Sequence, residues 1–551
     1  MALKGTSLLR AVRRPGALAA LGVLALTLAC GKDATSPPPP RDLNVAPVAD
    51  FSATAGCTSA PVSLDASAAH DPDGTITLYE WDFESDGTID ASGPALIVVQ
   101  HAYTPGTHRA KLVVTDNAAA YTVTVKSFTV AAPETMYVAL SGSPLGPGTR
   151  QSPFSSLTSA IAAAASLACP ATILVAEGRY VETPVLASGM TIRGGYDPVT
   201  WTHAAGAQSE VAGRSTTAVD VHNVEISDLR FWSGDLSEPS MSAVAVEIQN
   251  CDASLLFVRC AFVGGIPGNG LNGANGGGGV TGADGGNGSD GRGWGGGFQI
   301  GARNSASAGG QGGSANSGGE DGHGGCGTVG QGGAAGGGIG TAGSNGGPGV
   351  NGSGLATNGS FNGFAWVPAV GVAGTAGCDG SGGGGGGGGV NCGSTNGGIG
   401  HGGGGGEGGH AGVGGKGGHG GGASIALILI DASPRFEQCS WTTNQAGVAG
   451  IGGDGGPSGT GGAGGFGASS CSGPNGGDGG PGGTSGPGGG GQGGPGGPSW
   501  CIVKLGSSNP VLVTPTFNVG TGGAGGLGGL LGGSGPRAAS GPDGPAAAFG
   551  P

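Results

Sequence analysis

The sequence contains few charged residues: 21 Lys and Arg and 35 Asp and Glu make up 10% of 551 residues and leave a formal net charge of −14. Nucleic-acid binding needs a basic face, so this composition excludes nucleic acid as a partner. Disordered chains combine low hydrophobicity with dense charge, and this chain fails the second condition. Because 136 residues are glycine, core-forming residues are scarcer than the length suggests.

Two motifs that mark common catalytic and metal-binding proteins are missing from the sequence. It has no Gly-x-Ser-x-Gly segment, which removes the commonest hydrolase signature. It has no Cys-x-x-Cys pair, which argues against a zinc ribbon or a thioredoxin-like site.

The most informative feature that is present is a stretch that occurs twice, at 252–262 and 431–441, identical at Asp, Ala, Ser, Phe and Cys and offset by 179 residues. If the glycine-rich run 265–422 is an insertion, the offset falls to about 21 residues, a spacing typical of stacked repeats. We therefore predict that the two copies form adjacent coils of a parallel β-solenoid. Weaker copies of the positions of Phe257, Cys260 and Phe262 lie upstream at Ile226, Leu229 and Phe231, and downstream at Leu512, Pro515 and Phe517.

The region before the first copy has the pattern expected at the start of a β-solenoid. An Ala-rich helix is predicted over 157–167, with Ser155 or Ser156 as its N-cap. The segment Leu174-Val-Ala-Glu-Gly-Arg-Tyr180 follows. This order resembles right-handed parallel β-helix proteins, in which a helix covers the apolar interior and open edges of the first coil. With apolar strands at 425–430 and 500–505, we expect about six coils.

Parallel β-helices include polysaccharide lyases and hydrolases, so paired carboxylates are the feature to seek. Asp228 and Arg230 share one coil, and Arg259 with Glu437 or Gln438 occupies neighbouring coils. The acids do not stack along one face. We therefore predict no enzymatic activity, no catalytic or metal-binding residue and no cofactor.

The N-terminus carries an export signal. Four basic residues precede the apolar run 17–29, and Cys30 follows at once. This resembles a bacterial lipoprotein signal peptide, which implies cleavage behind Ala29, a lipid on Cys30 and, with Gly31 next, sorting to the outer membrane. An ordinary secretory signal or a short anchor is the alternative, although the run is short for a membrane span. The Pro-rich segment 31–44 is expected to act as an extended spacer.

Short alternating strands over 45–130 predict a β-sandwich. The region resembles the PKD domain, an immunoglobulin-like module of extracellular proteins, which implies positioning and weak protein or polysaccharide contacts. The matching segments are Asp65-Ala-Ser67, Asp71-Pro-Asp-Gly74, Tyr79-Glu-Trp-Asp-Phe83, His101-Ala-Tyr103 and Val113-Val-Thr-Asp116. Asp71, Asp73 and Asp116 fit either a calcium site or ordinary turn chemistry, and turn chemistry is favoured.

Export places the cysteines in an oxidising compartment. Of 11 cysteines, ten remain beside Cys30, which permits disulfides without fixing their partners. Cys378 and Cys392 flank a polyglycine run and are expected to pair. Cys260 and Cys439 would lie on neighbouring coils about 4.8 Å apart, where they form either a bridge or a ladder of small buried side chains.

Within 131–551, the expected solenoid, glycine-rich excursions occupy about 265–422 and 450–498, with a glycine-rich tail from about 520. Their ordered parts repeat Gly-Gly-x, which predicts threefold helices of the polyproline type, with side chains along one edge and bare edges that pack on neighbours. This arrangement resembles the glycine-rich sandwiches of PGRS-type surface proteins, and flexible loops are the alternative. His401, His410 and His419 would lie about 28 Å apart in such a helix and so cannot share a metal ion.

These features predict an all-β lipoprotein of the outer membrane or cell surface, with a PKD-like sandwich followed by a short right-handed parallel β-helix. Its expected role is structural or adhesive, with weak binding to polysaccharide or to surface proteins and membrane contact through Cys30. A polysaccharide-active β-helix enzyme and a scaffold without a ligand are the alternatives.

Overall fold

The structure is a computed structural model that describes residues 43–54, 57, 61–167, 169–288, 307–314, 317–355, 357–389, 400–469 and 474–551. The predicted signal peptide, Cys30 and the Pro-rich spacer up to residue 42 lie outside the described residues, as do Cys392 and Cys471.

Seven strands of alternating burial build the N-terminal sandwich, in one sheet of order β1-β2-β5 and another of order β4-β3-β6-β7. The strands are β1 (Ser52–Thr54), β2 (Val62–Asp65), β3 (Ile76–Asp82), β4 (Ala91–Gly93), β5 (Val98–His101), β6 (Gly106–Asp116) and β7 (Tyr121–Val130). Trp81 is fully buried, meets Phe51 edge-on at 5.2 Å and donates its indole N–H to the carbonyl of Leu96 at 2.9 Å. The indole therefore gains its burial without losing a hydrogen bond.

The remaining strands and one helix form a parallel β-helix and the structures attached to it. They are β8 (Thr135–Val138), α1 (Leu157–Ala165), β9 (Ala171–Ala176), β10 (Arg179–Val181), β11 (Met190–Tyr196), β12 (Ser209–Ala212), β13 (Thr216–Val219), β14 (Val224–Ser227), β15 (Leu229–Trp232), β16 (Ala243–Gln249), β17 (Leu255–Val258), β18 (Ala261–Gly264), β19 (Gly359–Asn362), β20 (Ala365–Pro368), β21 (Ser424–Ile430), β22 (Arg435–Glu437), β23 (Ser440–Thr443), β24 (Ser499–Leu505), β25 (Val511–Val513), β26 (Thr516–Asn518) and β27 (Ala546–Phe549). A short 3-10 turn spans Leu531–Gly533.

Three parallel sheets wrap around one core. Sheet A contains β8, β9, β11, β14, β17, β22 and β25; sheet B contains β10, β12, β15, β18, β23 and β26; and sheet C contains β13, β16, β21, β24 and β27. Within the part of the chain that the structure describes there are six coils, which begin at β9, β11, β14, β17, β22 and β25. This agrees with the number that the repeat predicts.

The duplicated stretch occupies equivalent positions on adjacent coils. Phe257 of β17 is the register partner of Phe436 of β22, and Phe262 of β18 is the partner of Trp441 of β23. The weaker copies continue the same two rows. Ile226 and Leu512 extend the first, and Phe231 and Phe517 extend the second. Both weaker copies are therefore confirmed as neighbouring coils.

The last four of the six coils turn from sheet A to sheet B through a residue with positive φ. Asp228, Arg259, Gln438 and Thr514 occupy this corner with φ between 49° and 56°. A positive φ is uncommon for residues other than glycine. Its recurrence at equivalent positions shows that these corners share the same backbone geometry. At two of these corners the side chains meet, because Arg259 binds Asp228 of the preceding coil.

Helix α1 covers the first coil. Its N-cap is Ser156, whose hydroxyl accepts the N–H of Ser159 at 3.0 Å, as expected of an N-cap. Leu157, Ala160 and Ile161 are buried in the same core as the first strands of sheet A. The helix therefore shields the interior of the coil stack, which was the predicted role.

Strands β21 and β24 of sheet C are apolar on both faces over most of their length. Strands β21 and β24 are almost wholly buried, because their outer face is covered by the hairpin β19–β20 from the first glycine-rich excursion. Trp366 of the hairpin meets Trp500 of β24 at 5.3 Å and 90°. Gly363, with φ 58°, supplies the positive φ that the two-residue turn of this hairpin requires.

All three glycine-rich excursions leave from the same corner of the solenoid, between sheet B and sheet C. They connect β18 to β21, β23 to β24 and β26 to β27 on three successive coils. Each has an outgoing and a return segment: 268–288 and 401–422, 447–468 and 474–497, and 520–530 and 536–545. The excursions therefore lie side by side because their coils do.

The segments are joined by backbone hydrogen bonds that recur every third residue, the period of a polyproline-type helix. The outgoing segment 268–288 donates to 447–468 through Gly270 to Val448, Gly273 to Ile451, Gly276 to Asp454 and Gly279 to Pro457, at 2.7–2.8 Å. The return segment 401–422 donates to 474–497 in the same way, through Gly403 to Gly477, Gly406 to Gly480 and Gly409 to Gly483, at 2.9–3.0 Å. We call this assembly the glycine bundle.

Candidate binding groove

The outer face of sheet B carries a row of charged side chains. Arg179, Glu210 and Arg230 are register partners on the first three coils. Strand alternation points them outward, because the residue after each of them, such as Tyr180 or Phe231, is buried in the core.

The middle member of this row binds both neighbours. The Glu210 carboxylate forms an ion pair with Arg179, whose Nε lies 3.2 Å from Oε1, and another with Arg230 through its Nη1. The Glu210 side chain is 21% exposed and those of the two arginines are 55% and 39% exposed, so solvent screens both pairs. Their main effect is to hold the guanidinium groups in place.

An aromatic ring continues the site. The Arg179 guanidinium carbon lies 4.2 Å from the ring centroid of Trp232, a cation–π contact. Ala212, a small buried residue, is the register partner of Trp232 on β12, the strand between those of Arg179 and Trp232. Trp232 is thus held on the surface, only half-buried.

Beside Trp232 the face opens into a groove of about 430 Å³. Its lining comes from five coils and comprises Arg179, Glu210, Arg230, Trp232, Asp235, Val263, Ile266, Thr442 and Asn444.

Backbone contacts at the start of the excursions fix one side of the groove. The Asp235 carboxylate accepts the N–H of Ile266 at 2.8 Å. Asn444 donates its amide Nδ2 to the carbonyl of Gly264 at 3.0 Å. The corner from which the glycine bundle leaves therefore also shapes the groove.

The sequence-predicted acids of the solenoid do not gather in one place. Asp228 is buried at the corner between sheets A and B and receives a two-pronged contact from Arg259, with Nε–Oδ1 2.8 Å and Nη2–Oδ2 2.6 Å. This hydrogen bond raises the pKa of Arg259 above its usual value. His203 Nε2 lies 3.6 Å from Asp228 Oδ2.

The other predicted residues have separate partners. Arg230 pairs with Glu210, and Glu437 accepts from Arg435 Nε at 2.6 Å. Gln438 occupies the left-handed corner position. The Asp228–Arg259 pair consequently ties one coil to the next, and it leaves Glu437 outside the cluster.

In the sandwich, Asp73 and Asp116 accept hydrogen bonds from nearby backbone and side-chain groups. Asp116 accepts the N–H groups of Ala118 and Ala120 at 2.8 and 2.9 Å and the side-chain amide of Asn44 at 2.7 Å; the Asn44 hydrogen bond is the main reason that its pKa is lowered. Asp73 accepts the N–H of Val45 at 3.0 Å. The contacts to Ala118 and Ala120 are the turn chemistry that the sequence favours, whereas the contacts to Asn44 and Val45 join distant parts of the sandwich.

Neither these aspartates nor His401, His410 and His419 belong to a metal-binding group. Among the residues that the structure describes, no three His, Cys, Asp or Glu side chains come together in a way that could hold a metal ion. His410 instead lies beside Glu407, with Nε2–Oε1 3.7 Å.

The expected pairing of Cys378 with Cys392 is wrong. Cys378 forms a disulfide with Cys326, which lies in the adjacent part of the same excursion with a Cα–Cα distance of 5.7 Å. A sequence pattern of flanking cysteines cannot reveal this partner, because it depends on how the excursion folds back. Cys57 and Cys169 form the other disulfide among the described residues.

Cys260 and Cys439 are free, buried thiols on adjacent coils. Each sulfur points to a carbonyl of the preceding coil, that of Ile226 or Phe257, at 3.5 Å. Of the two arrangements left open by the sequence, the structure therefore has the ladder of small buried side chains.

Sequence reasoning missed Arg179, Glu210 and Trp232. A signal does exist, since these residues alternate with buried Tyr180, Val211 and Phe231. It becomes visible only after the coils are aligned, because the first coils match the duplicated stretch too weakly to be found by identity.

Comparison with known proteins assigns a family to the N-terminal sandwich. A family model for the PKD domain matches residues 44–131. No curated protein matches the chain. Among solved structures, the PKD1 domain of Vibrio anguillarum Epp is 32% identical over 16% of this chain and 100% of that chain, with a TM-score of 0.15.

Two further solved structures are similar to parts of this chain. A structure of carbohydrate-binding modules from the β-sandwich superfamily is 33% identical and covers 17% of this chain and 38% of that chain, with a TM-score of 0.16. The family 28 exopolygalacturonase of Yersinia enterocolitica is 12% identical and covers 41% of this chain and 42% of that chain, also with a TM-score of 0.16. Such TM-scores bear on neither the activity nor the ligands of this chain.

No helix within the described ranges has the length and apolar character needed to cross a bilayer. The family match and the three parallel sheets together identify the two folded parts: residues 44–131 are a PKD domain, and the same chain continues as a parallel β-helix.

Proposed function

We propose that this protein is a non-enzymatic surface lipoprotein with a structural or adhesive role, which binds polysaccharide or surface proteins weakly. In this proposal a lipid on Cys30 anchors it to the outer membrane, and the Pro-rich spacer holds the PKD domain and the β-helix away from the bilayer. The PKD family match supports the adhesive part of this proposal, because PKD domains are modules of extracellular proteins that are linked to weak protein or polysaccharide contacts.

The observation that carries the proposal is the shared origin of the three excursions. Because they leave successive coils at one corner and bond to each other in register, they extend the solenoid into a broad framework of fixed rows of side chains. Weak contacts repeated along such rows add up when the partner is itself repetitive, as a polysaccharide or a cell surface is.

The test applies the full chain without its lipid to an array of polysaccharides and oligosaccharides, and follows the same mixtures for released products. The proposal predicts weak, reversible binding and no product. Absence of binding to every glycan would favour a scaffold without a ligand. A substitution of Cys30 by Ser is expected to move the protein from the membrane to the soluble fraction.

A polysaccharide-active enzyme is the second candidate, and one observation favours it: Glu210 and Asp235 line the same groove. Glycoside cleavage commonly uses two carboxylates on opposite sides of the bond. The measurement is the appearance of new reducing ends or unsaturated products with the wild type and with Glu210→Gln. Turnover that Glu210→Gln abolishes would establish the enzyme and overturn our proposal.

A further inference from the structure

The groove on sheet B runs along the axis of the solenoid. Its lining begins at Arg179 on the first coil and ends at Thr442 and Asn444 on the fifth. Neighbouring strands of a parallel sheet lie about 4.8 Å apart, so four steps give a length of about 19 Å. This length suits an extended oligomer rather than a single small molecule.

The lining combines flat apolar surface with polar groups of both kinds. Trp232, Val263 and Ile266 provide apolar surface. The Arg230 guanidinium can donate hydrogen bonds, and the Thr442 hydroxyl can donate or accept them. A sugar ring has the matching character, with C–H groups on its faces and hydroxyl groups around its edge. The ring faces would pack on the apolar side chains while the hydroxyls meet the polar ones.

The charge of the groove selects between classes of sugar polymer. Two arginines and two carboxylates, those of Glu210 and Asp235, leave no net formal charge. Both arginines are already paired with Glu210. Because Glu210 already neutralises them, the arginines offer little attraction to the carboxylates of a uronic-acid polymer, and Asp235 adds repulsion, so the lining favours a neutral polymer.

We propose that the groove on the outer face of sheet B binds a neutral polysaccharide chain lengthwise, across the strands of five coils. This inference rests on the proposed function, because it assigns the polysaccharide-binding part of that function to one site. It places the ligand on sheet B rather than on sheet C, whose outer face is covered by the hairpin β19–β20.

The experiment obstructs the groove while it leaves the charged side chains of Arg179, Glu210, Arg230 and Asp235 unchanged. Thr442 lies on the outer face of β23, and Thr442→Trp would obstruct the end of the groove. Thr191→Trp is the matched control, since Thr191 is a half-buried threonine of β11 in sheet A. Ile266→Trp, at a position 50% exposed, blocks the groove from another element if Thr442→Trp proves unstable.

Binding of neutral and uronic-acid oligosaccharides is measured by calorimetry for each folded variant. We expect the wild type and Thr191→Trp to bind the same neutral oligosaccharide with equal affinity, and either blocking variant to lose at least about tenfold, or about 1.4 kcal/mol. If neutral glycans bind all the variants equally well, the groove assignment is wrong while the proposed function stands. If the wild type binds no glycan, the polysaccharide part of the proposed function fails as well. Preference for uronic acids would overturn the assigned class of ligand.

Discussion

Phe257 and Phe436 stack with ring centroids 5.1 Å apart and planes 13° from parallel, although 179 residues separate them in the sequence. They are register partners on adjacent coils, and both are fully buried. The intervening chain is therefore a detour from a continuous core, and the stability of the solenoid depends on contacts across that detour.

The first prediction concerns this stack. Phe436→Ala removes a ring that lies between Phe257 and Trp441, and a deleted core aromatic typically costs about 3–5 kcal/mol. The matched control is Phe466→Ala, because Phe466 is 70% exposed on the glycine bundle. Chemical denaturation should show a large loss for Phe436→Ala and little change for the control. Equal effects would mean that Phe436 is not part of the core.

The second prediction tests the close packing of the glycine bundle. Gly406 is buried, and a Cβ there would collide with the carbonyl oxygen of Gly462. Gly277 is exposed in the same excursion, and a Cβ there would make only ordinary contact with Val413. Gly406→Ala should speed amide hydrogen exchange in the segments 401–422 and 447–468, whereas Gly277→Ala should not. Unchanged protection in both variants would show that the segments are not packed backbone to backbone.

The third prediction concerns a row of side chains that tie the bundle together. Asn269, Asn272, Asn275, Asp284 and Asn287 each accept a backbone N–H of the segment 447–468, at 2.7–2.9 Å. Asn272→Ala leaves the N–H of Ile451 without its acceptor, at a cost of about 1 kcal/mol. Asn272→Asp should restore protection, because Asp284 already plays the same role. Hydrogen exchange at Ile451 is the measurement, and equal exchange in Asn272→Ala and wild type would contradict the tie.

The fourth prediction is a pH dependence of stability. Glu247 shares a row of sheet C with Ile428 and Val503, and burial raises the pKa of its carboxyl. Below the ordinary pKa of a glutamate both folded and unfolded states are protonated, and the fold gains its full stability there. That gain is lost as the pH rises through the raised pKa, because the folded state then has to bury a charge.

Glu247→Gln should therefore raise Tm at pH 7 and leave it unchanged at pH 3. Glu225→Gln is the control, since Glu225 is 42% exposed and faces Arg193, so its loss should alter Tm only slightly at either pH. A lower Tm for Glu247→Gln at pH 7 would show that the charged carboxylate is stabilised in the fold.

The coil repeat and the helix cap could be predicted from the sequence because their signals are local. Phe257 and Phe436 lie in stretches of near identity, and Ser156 precedes an Ala-rich run. Such patterns are set by the local requirements of a strand or a helix end, so they can be recognised without knowing the rest of the fold.

The cover on sheet C could not be predicted in the same way. The apolar strand Ser424–Ile430 indicates burial on both faces, but it does not say what covers the outer face. The cover comes from Phe361 and Trp366, an aromatic pair around a turn at Gly363. This hairpin signal is present in the sequence, yet it lies within glycine-rich sequence that gives no indication of where the hairpin docks.

The groove and the disulfides could not be predicted, because both depend on which distant segments lie next to each other in the fold. Arg179 and Glu210 meet only because two coils stack in register, and Cys378 meets Cys326 only because an excursion folds back on itself. Both relationships join residues whose separation in the sequence says nothing about their distance in the fold.

If the glycine bundle takes its register from the coils, equivalent residues of neighbouring excursions lie side by side, and an engineered disulfide can join them. Thr281 and Thr460 belong to different excursions, and their hydroxyl oxygens lie 3.0 Å apart. In the double variant Thr281→Cys with Thr460→Cys, we predict a disulfide between these positions, detected by mass spectrometry of peptides from the unreduced protein. The control, Thr281→Cys with Phe466→Cys, displaces the second cysteine by about 19 Å along the segment and should not cross-link. Failure of the first pair to cross-link, or equal cross-linking of both pairs, would contradict the account.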